Sequence, residues 1–143
     1  MNRVLVFLLL AVAATPATMF AAGVEIVPSA DATSTSISLS LDNAGGCVVA
    51  GEVAVEYDAT AFELSVVDRE VSVFTLWFPD ATSTGKIILT GGVPGGFCGL
   101  FSGEGIVTSL ATLTFTPLTP AASLRDSLRI GTTTLFDGYG TIL

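Results

Sequence analysis

The sequence predicts an all-β protein, an antiparallel β-sandwich of the jelly-roll type with about 8–9 short strands. The first observation is a period of two in the apolar residues: residues 36–41 alternate strictly and place Ile37, Leu39 and Leu41 on one face. The second is the spacing of turn signals, since clusters of Gly, Pro, Asn and Asp recur about every ten residues. The third is that no stretch beyond residue 23 has the period of an amphipathic helix. This combination is typical of a sandwich or a barrel.

Each predicted strand is an alternating or apolar segment that ends at a turn signal. The strand of residues 49–57 buries Val53 and Val55 and exposes Glu52 and Glu56. The other predicted strands follow the same rule, and in chain order they are 62–66, 73–78, 86–90, 110–115 and 128–135.

Two segments hold the candidate binding residues. In the strand around Trp77, alternation places this residue on one face and Phe74, Leu76 and Phe78 on the other. Residues 91–105 contain seven glycines and form the longest irregular stretch. We expect this stretch to be either a mobile loop or a backbone with positive φ, which glycine adopts without steric cost.

The composition excludes several classes of function. The 143 residues suit one domain, and 13 acidic against five basic side chains give a net charge of −8. Nucleic-acid binding is not expected, because phosphate neutralisation needs clustered Lys and Arg and the basic residues here are scattered. The absence of histidine removes the commonest general base and metal ligand. It also excludes Ser-His-Asp and Cys-His nucleophile arrangements.

Residues 1–22 have the pattern of a secretory signal peptide. Arg3 supplies one positive charge, an unbroken apolar run follows from residue 4 to residue 14, and small residues come next. The run is shorter than the roughly 20 apolar residues of a spanning helix. We therefore predict export, to the medium or the cell surface, with cleavage between Ala14 and Gly23. The alternative is an uncleaved anchor, and membrane contact is expected only through this segment or an unseen downstream anchor.

A series of motifs occurs in an order that is typical of one protein family. An alternating strand runs into Tyr57-Asp58-Ala59, and further strands and glycine-rich loops follow at residues 85–92, 94–99, 110–115 and 137–141. This order resembles that of cohesin domains, sandwich modules related to cellulose-binding domains. Ala59 stands where the family usually has proline.

The resemblance implies both a fold and a function. Residues 23–143 would form the cohesin-like sandwich, with one further strand expected after residues 137–141, so either the sequence is a fragment or that strand is absent. The module would be a non-catalytic one that docks a dockerin-type protein partner on a sheet face, in a polysaccharide-related system. The alternatives are a module that binds polysaccharide and a purely architectural surface domain.

The acidic residues do not indicate an enzyme or a strong metal site. Glycosidases need a pair of carboxylates, but Glu52, Glu56 and Glu63 lie on polar strand faces, where a solvated carboxylate is the default. Two cysteines without histidine cannot form a zinc site. Calcium could bind at Asp137 in its Asp-Gly-x-Gly-Thr loop, yet a single carboxylate favours a hydrogen-bonded turn instead. We predict no catalytic residue and no required cofactor.

Four aromatic residues are the candidates for ligand binding. Trp77 is the only tryptophan, and it is interpreted equally well as an exposed stacking residue or as core. Phe97, Phe101 and Tyr139 lie in glycine-rich segments and would join it if the ligand were a sugar. They would otherwise close one end of the sandwich.

Cys47 and Cys98 are expected to form a disulfide. Export to an oxidising compartment permits the bond, and two cysteines allow only one intramolecular pairing. Cys47 begins a predicted strand, whereas Cys98 lies in a predicted loop, so both are at ends of elements. Two buried free thiols or an intermolecular bridge remain the alternatives.

Overall fold

The computed structural model describes residues 21–28, 35–99, 104–120 and 122–143. Almost all regular structure in these ranges is strand. In chain order the strands are β1 (Gly23–Pro28), β2 (Ser36–Asp42), β3 (Cys47–Tyr57), β4 (Phe62–Asp68), β5 (Leu76–Trp77), β6 (Ala81–Ser83), β7 (Lys86–Cys98), β8 (Val107–Pro117) and β9 (Leu128–Phe136). One 3-10 turn, Arg125–Ser127, precedes β9.

The nine strands form two antiparallel sheets. The first has the order β1-β2-β8-β4, and the second has the order β5-β7-β3-β9. The short strand β6 also pairs with β7, on the edge that β5 occupies further along. The predicted class, an antiparallel sandwich of about 8–9 short strands, is therefore confirmed.

The core lies between the two sheets and consists of the inward-facing side chains of the alternating strands. Ile37, Leu39 and Leu41 are buried, as the pattern in residues 36–41 predicts. Phe115 of β8 meets Tyr57 and Phe62 edge-on, with ring centroids 5.3 and 6.5 Å away. Such edge-to-face contacts add to the hydrophobic contribution of the rings.

Hydroxyl groups cover the centre of the outer face of the four-stranded sheet. The Ser36 and Thr114 hydroxyls lie 2.9 Å apart across β2 and β8, and those of Ser38 and Thr112 lie 3.4 Å apart. We call this surface the hydroxyl face. The side chains at these four positions are short and polar, and they hydrogen-bond to one another across the two strands.

Residues 91–98 of the glycine-rich segment are strand, which corrects the prediction of an irregular stretch for this part of the segment. β7 continues through residues 91–98, so Phe97 and Cys98 belong to a strand. Its pairing with β3 shifts register between Val48 and Ala50. Gly95 and Gly96 lie at this shift with φ of 89° and 81°, a left-handed backbone that favours glycine. The positive-φ interpretation of this segment is therefore correct at these two residues.

The predicted face assignment around Trp77 is wrong. Phe74 is buried, whereas Leu76 and Phe78 are 59% and 66% exposed, so the three do not share a face. The strand here is only Leu76–Trp77, and Phe74 precedes it in an irregular segment. Alternation holds only within a continuous strand, and one irregular residue reverses every face that follows.

The disulfide is present. Cys47 at the start of β3 stands directly opposite Cys98 at the end of β7, and their Sγ atoms lie 2.01 Å apart. The N–H of Gly99 donates to the carbonyl oxygen of Gly46 at 2.7 Å beyond the bond. The disulfide thus links the ends of β3 and β7, the two central strands of the five-stranded sheet.

The predicted signal peptide lies almost entirely outside the described residues, which begin at residue 21, and it stays a prediction. Within the described ranges, no helix has the length and apolar character needed to cross a bilayer.

Candidate functional site

The outer face of the five-stranded sheet differs from the hydroxyl face in the chemistry of its central row. Its central row is Thr134, Glu52 and Thr90, which are cross-strand neighbours on β9, β3 and β7. Ala50 and Ala54 stand on either side of Glu52 along β3. We call this surface the β3 face. Its centre thus presents the exposed Glu52 carboxylate between two hydroxyl-bearing side chains.

One end of the β3 face is apolar. Leu76 and Phe78 project from the edge of the sheet and are 59% and 66% exposed. They border a groove of about 460 Å³, which is otherwise lined by Val49, Ala50, Trp77, Gly91, Gly92, Val93 and Pro94. Large apolar side chains grouped around a groove mark an interaction surface more often than scattered ones do.

The other end of the β3 face is charged. Glu56 lies between Lys86 and Arg129, which are its direct cross-strand neighbours on β7 and β9. The Nε of Arg129 donates to Oε2 of Glu56 at 2.6 Å. No carboxylate of the described residues lies within 4.0 Å of the Lys86 ammonium, so Lys86 forms no ion pair there. The groove beyond this end, about 720 Å³, also includes Asp58 and Asp126.

The comparison with solved structures identifies the fold. The sixth cohesin of scaffoldin B from Acetivibrio cellulolyticus, solved in complex with the Cel5 dockerin, superposes with a TM-score of 0.59 over 87% of this chain and 91% of that chain, at 21% identity. The chain has the cohesin fold. A cohesin module of a family 33 glycoside hydrolase from Clostridium perfringens gives a TM-score of 0.60 at 18% identity, covering 85% and 87% of the two chains.

A third cohesin-fold neighbour is CaCohA2 of Clostridium acetobutylicum, solved in complex with CaDoc0917. It has a TM-score of 0.60 and 15% identity, over 85% of this chain and 92% of that chain. No protein-family model matches the sequence, and no curated protein matches it either. The resemblance to cohesins noted in the motifs is thus borne out at the level of the fold.

The turn after β3 shows how this cohesin fold accommodates Ala59 in place of proline. Oδ1 of Asp58 accepts hydrogen bonds from the Thr60 N–H at 2.9 Å and from the Thr60 hydroxyl at 2.7 Å. The Thr60 hydroxyl is the main cause that lowers the pKa of Asp58. The aspartate therefore closes the turn without a fixed proline φ.

Trp77 packs at the edge of the core rather than lying open on a face. Its indole Nε1 donates to the backbone carbonyl of Phe74 at 3.0 Å, and the two rings lie 5.6 Å apart. The guanidinium of Arg69 stacks over the indole at 4.8 Å, held by an ion pair to Asp80. A Cβ on Gly91 would come within 2.8 Å of the indole, so the ring occupies space that a side chain at residue 91 would need. These contacts favour the core interpretation of Trp77.

The other predicted aromatic residues do not join Trp77. Phe97 is half-buried on β7 and packs against the core. Tyr139 is 96% exposed in the loop after β9. Phe101 lies outside the described residues. Among the described aromatic residues, no ring contact links Trp77, Phe97 and Tyr139. Their role in ligand binding stays a prediction, and the structure does not bring the described three together as one platform.

The Asp137 loop is a hydrogen-bonded turn. Oδ1 of Asp137 accepts the N–H groups of Thr141 at 2.7 Å and Tyr139 at 2.8 Å. The Thr141 N–H is the main cause that lowers the pKa of Asp137. In the described ranges, no three metal-ligating side chains gather at one point. One oxygen of the carboxylate considered for calcium thus accepts hydrogen bonds from its own loop.

The carboxylates weighed for catalysis lie on opposite sides of the molecule. Glu52 and Glu56 are on the β3 face, whereas Glu63 pairs with Thr116 in the other sheet. Glu56 is already bound to Arg129. The solvated-face interpretation therefore fits their positions.

The apolar groove is the feature that sequence reasoning missed. Alternation placed Leu76 and Phe78 on one face with Phe74, which is buried, whereas both are exposed. The signal that could have indicated this is the pair Gly91-Gly92, because adjacent glycines in a strand indicate a close approach of another backbone. That approaching segment is β5.

Proposed function

We propose that this chain is a non-catalytic recognition module that docks a dockerin-type protein partner on its β3 face. The observation that carries the proposal is the exposed pair Leu76 and Phe78 beside an apolar groove, on a sheet of the cohesin fold. Binding interfaces are centred on large apolar anchors in grooves, surrounded by polar groups. The centre of the hydroxyl face instead carries short polar side chains that are paired with one another.

The fold neighbours support the class of partner. The Acetivibrio cellulolyticus cohesin was solved with a dockerin bound. At 21% identity the likeness extends to the fold and not to the recognising side chains. The partner's identity therefore rests on this proposal and on its test.

We further propose that the module acts outside the cytoplasm, in a polysaccharide-related system. Residues 1–22 supply the export signal in this proposal. The intramolecular disulfide supports it as well, because structural disulfides persist in oxidising compartments.

An array of dockerin modules, including the Cel5 dockerin, tests the proposal. We expect at least one dockerin to bind the wild-type chain and to lose binding to Thr90→Arg, which places a long cation in the central row of the β3 face. Ser38→Arg on the hydroxyl face is the matched control and should bind normally. Equal loss of dockerin binding by both variants, or no loss by either variant, would contradict docking on the β3 face.

The alternatives have their own outcomes in the same experiment. Failure of every dockerin together with retention on an insoluble polysaccharide would favour carbohydrate recognition. Failure of both would favour an architectural surface domain.

A further inference from the structure

We infer that the β3 face has a direction and fits a partner helix with a specific order of side chains: an apolar anchor, then a cation, then an anion. This inference rests on the proposed docking function, because it describes the partner of that same face. It is carried by the positions of three groups across the five-stranded sheet: the groove beside Leu76 and Phe78, the Glu52 carboxylate on β3, and the cations Lys86 on β7 and Arg129 on β9.

The three groups lie in register along one uninterrupted pairing. Leu76 pairs with Gly92, which pairs with Ala50. Glu52 pairs with Thr90, two residues further along the strands, and Glu56 pairs with Lys86, four residues beyond that. A strand rises about 3.3 Å per residue, so, measured along the strands, the Glu52 row lies about 7 Å and the Glu56 row about 20 Å beyond the row of Leu76, Gly92 and Ala50. Phe78 lies level with the Glu52 row, because its N–H donates to the carbonyl oxygen of Thr90.

Glu52 is not neutralised by a basic side chain in the part of the chain that the structure describes. It is exposed in the central row between the hydroxyl-bearing residues Thr90 and Thr134. No basic group of the described residues forms an ion pair with it. A Lys or Arg of a docked helix could therefore pair with the Glu52 carboxylate without breaking an existing ion pair in the described residues.

The far end of the face carries a cation that no described carboxylate pairs. Lys86 and Arg129 flank the carboxylate of Glu56, and Arg129 is the one bound to it, so Lys86 is left without an ion pair among the described residues. Asp58 and Asp126 line the groove beyond this row. Of the remaining basic residues, Arg69 is committed to Asp80.

These spacings translate into a pattern on the partner helix. A helix rises about 1.5 Å per residue, so 7 Å corresponds to roughly four or five residues and 20 Å to roughly 13. A helix lying along the strands would carry Leu, Ile, Met or Phe at one position. Lys or Arg would follow about four residues on, and Asp or Glu about 14 residues on, counted in either direction along the helix, because the position about 14 residues on is the one near 20 Å that returns to the same helix face. Complementary charges of this kind fix the register and orientation of a bound partner.

A display library tests this pattern even though the natural partner is unidentified. The probe is a monomeric three-helix bundle with one surface helix randomised over about 18 positions, which spans about 27 Å. It is selected in parallel against the wild-type chain, Lys86→Glu and Glu52→Lys. Both substitutions are at exposed or half-buried sites, and unchanged melting of each variant confirms that it is folded.

The expected result is a pattern that follows the charges. Helices selected on the wild-type chain should carry the anchor, cation and anion at the stated spacings. Selection on Lys86→Glu should replace the anion by Lys or Arg, and selection on Glu52→Lys should replace the cation by Asp or Glu. A helix selected on the wild-type chain should bind each charge-reversed variant about 10-fold or more weakly, since like charges at an interface are strongly unfavourable.

The contrary results separate this inference from the proposed function. Helices that require the groove, lost with Leu76→Asp, but bind both charge-reversed variants equally well would overturn the pattern and leave the docking face standing. Helices that bind Leu76→Asp as tightly as the wild-type chain, or the absence of any helix binder, would overturn the docking face itself.

Discussion

The indole Nε1 of Trp77 donates a hydrogen bond to the backbone carbonyl of Phe74 at 3.0 Å. This bond joins a strand residue to the irregular segment before it. The Phe74 ring is buried in the core, and the Trp77 ring packs against it. The only tryptophan of the chain therefore secures the edge of the five-stranded sheet on which the apolar groove is built.

Trp77→Ala should lower the free energy of unfolding by about 3 kcal/mol, because it removes a large side chain packed against the core and leaves a cavity. Urea denaturation measures the change. Tyr139→Ala is the control, since Tyr139 is 96% exposed and exposed substitutions usually change stability by less than about 0.5 kcal/mol. Unchanged stability in Trp77→Ala, with weakened binding of a sugar, would restore the stacking role.

Reduction of the disulfide should destabilise the fold. The cysteines are 51 residues apart in sequence, and a loop of that size gives a chain-entropy contribution of roughly 4 kcal/mol. Cys47→Ser/Cys98→Ser should reproduce the loss and remove any effect of reductant. Thiol titration of the denatured, non-reduced monomer should find no free thiol, and two free thiols per chain would contradict the bridge.

Stability should decrease in acid partly through Asp58 and Asp137. Hydrogen bonds hold the pKa of each carboxyl below its ordinary value of 3.8 in the folded state. A lowered folded-state pKa contributes stability above the unfolded-state value, and this is lost as the pH falls through the folded-state value. The melting temperature should therefore fall below about pH 4, and less steeply in Asp137→Asn. An unchanged slope in Asp137→Asn would contradict this contribution.

Secreted protein should begin between Thr15 and Val24 when its N-terminus is sequenced. The reason is the position of the small residues after the apolar run, where signal peptidase cuts. Recovery of an intact chain starting at Met1 from the cytoplasm would contradict export.

Alternation located the core well because the sandwich buries one face of each continuous strand. Leu39 and Leu41 are fully buried, as their spacing predicts. Alternation failed where the chain departs from a continuous strand. The irregular segment before Leu76 reversed the faces around Trp77, and the glycines at 95 and 96 concealed that β7 continues to Cys98.

The candidate site depended on contacts that a linear pattern does not contain. Arg129 and Glu56 are 73 residues apart in sequence and meet only because β9 pairs with β3. The groove likewise requires β5 to lie against Gly91 and Gly92. The disulfide was predictable because two cysteines leave a single pairing, whereas the β3 face arises from strand order and register.

The most direct test of the proposed docking face is to map the surface that a bound dockerin protects. Amide chemical shifts of the isotope-labelled chain are followed as a dockerin that binds on the array is added. We expect the perturbed residues to cluster on the β3 face, around Ala50, Thr90 and Thr134. Perturbation centred on the hydroxyl face, around Ser38 and Thr112, would contradict docking on the β3 face.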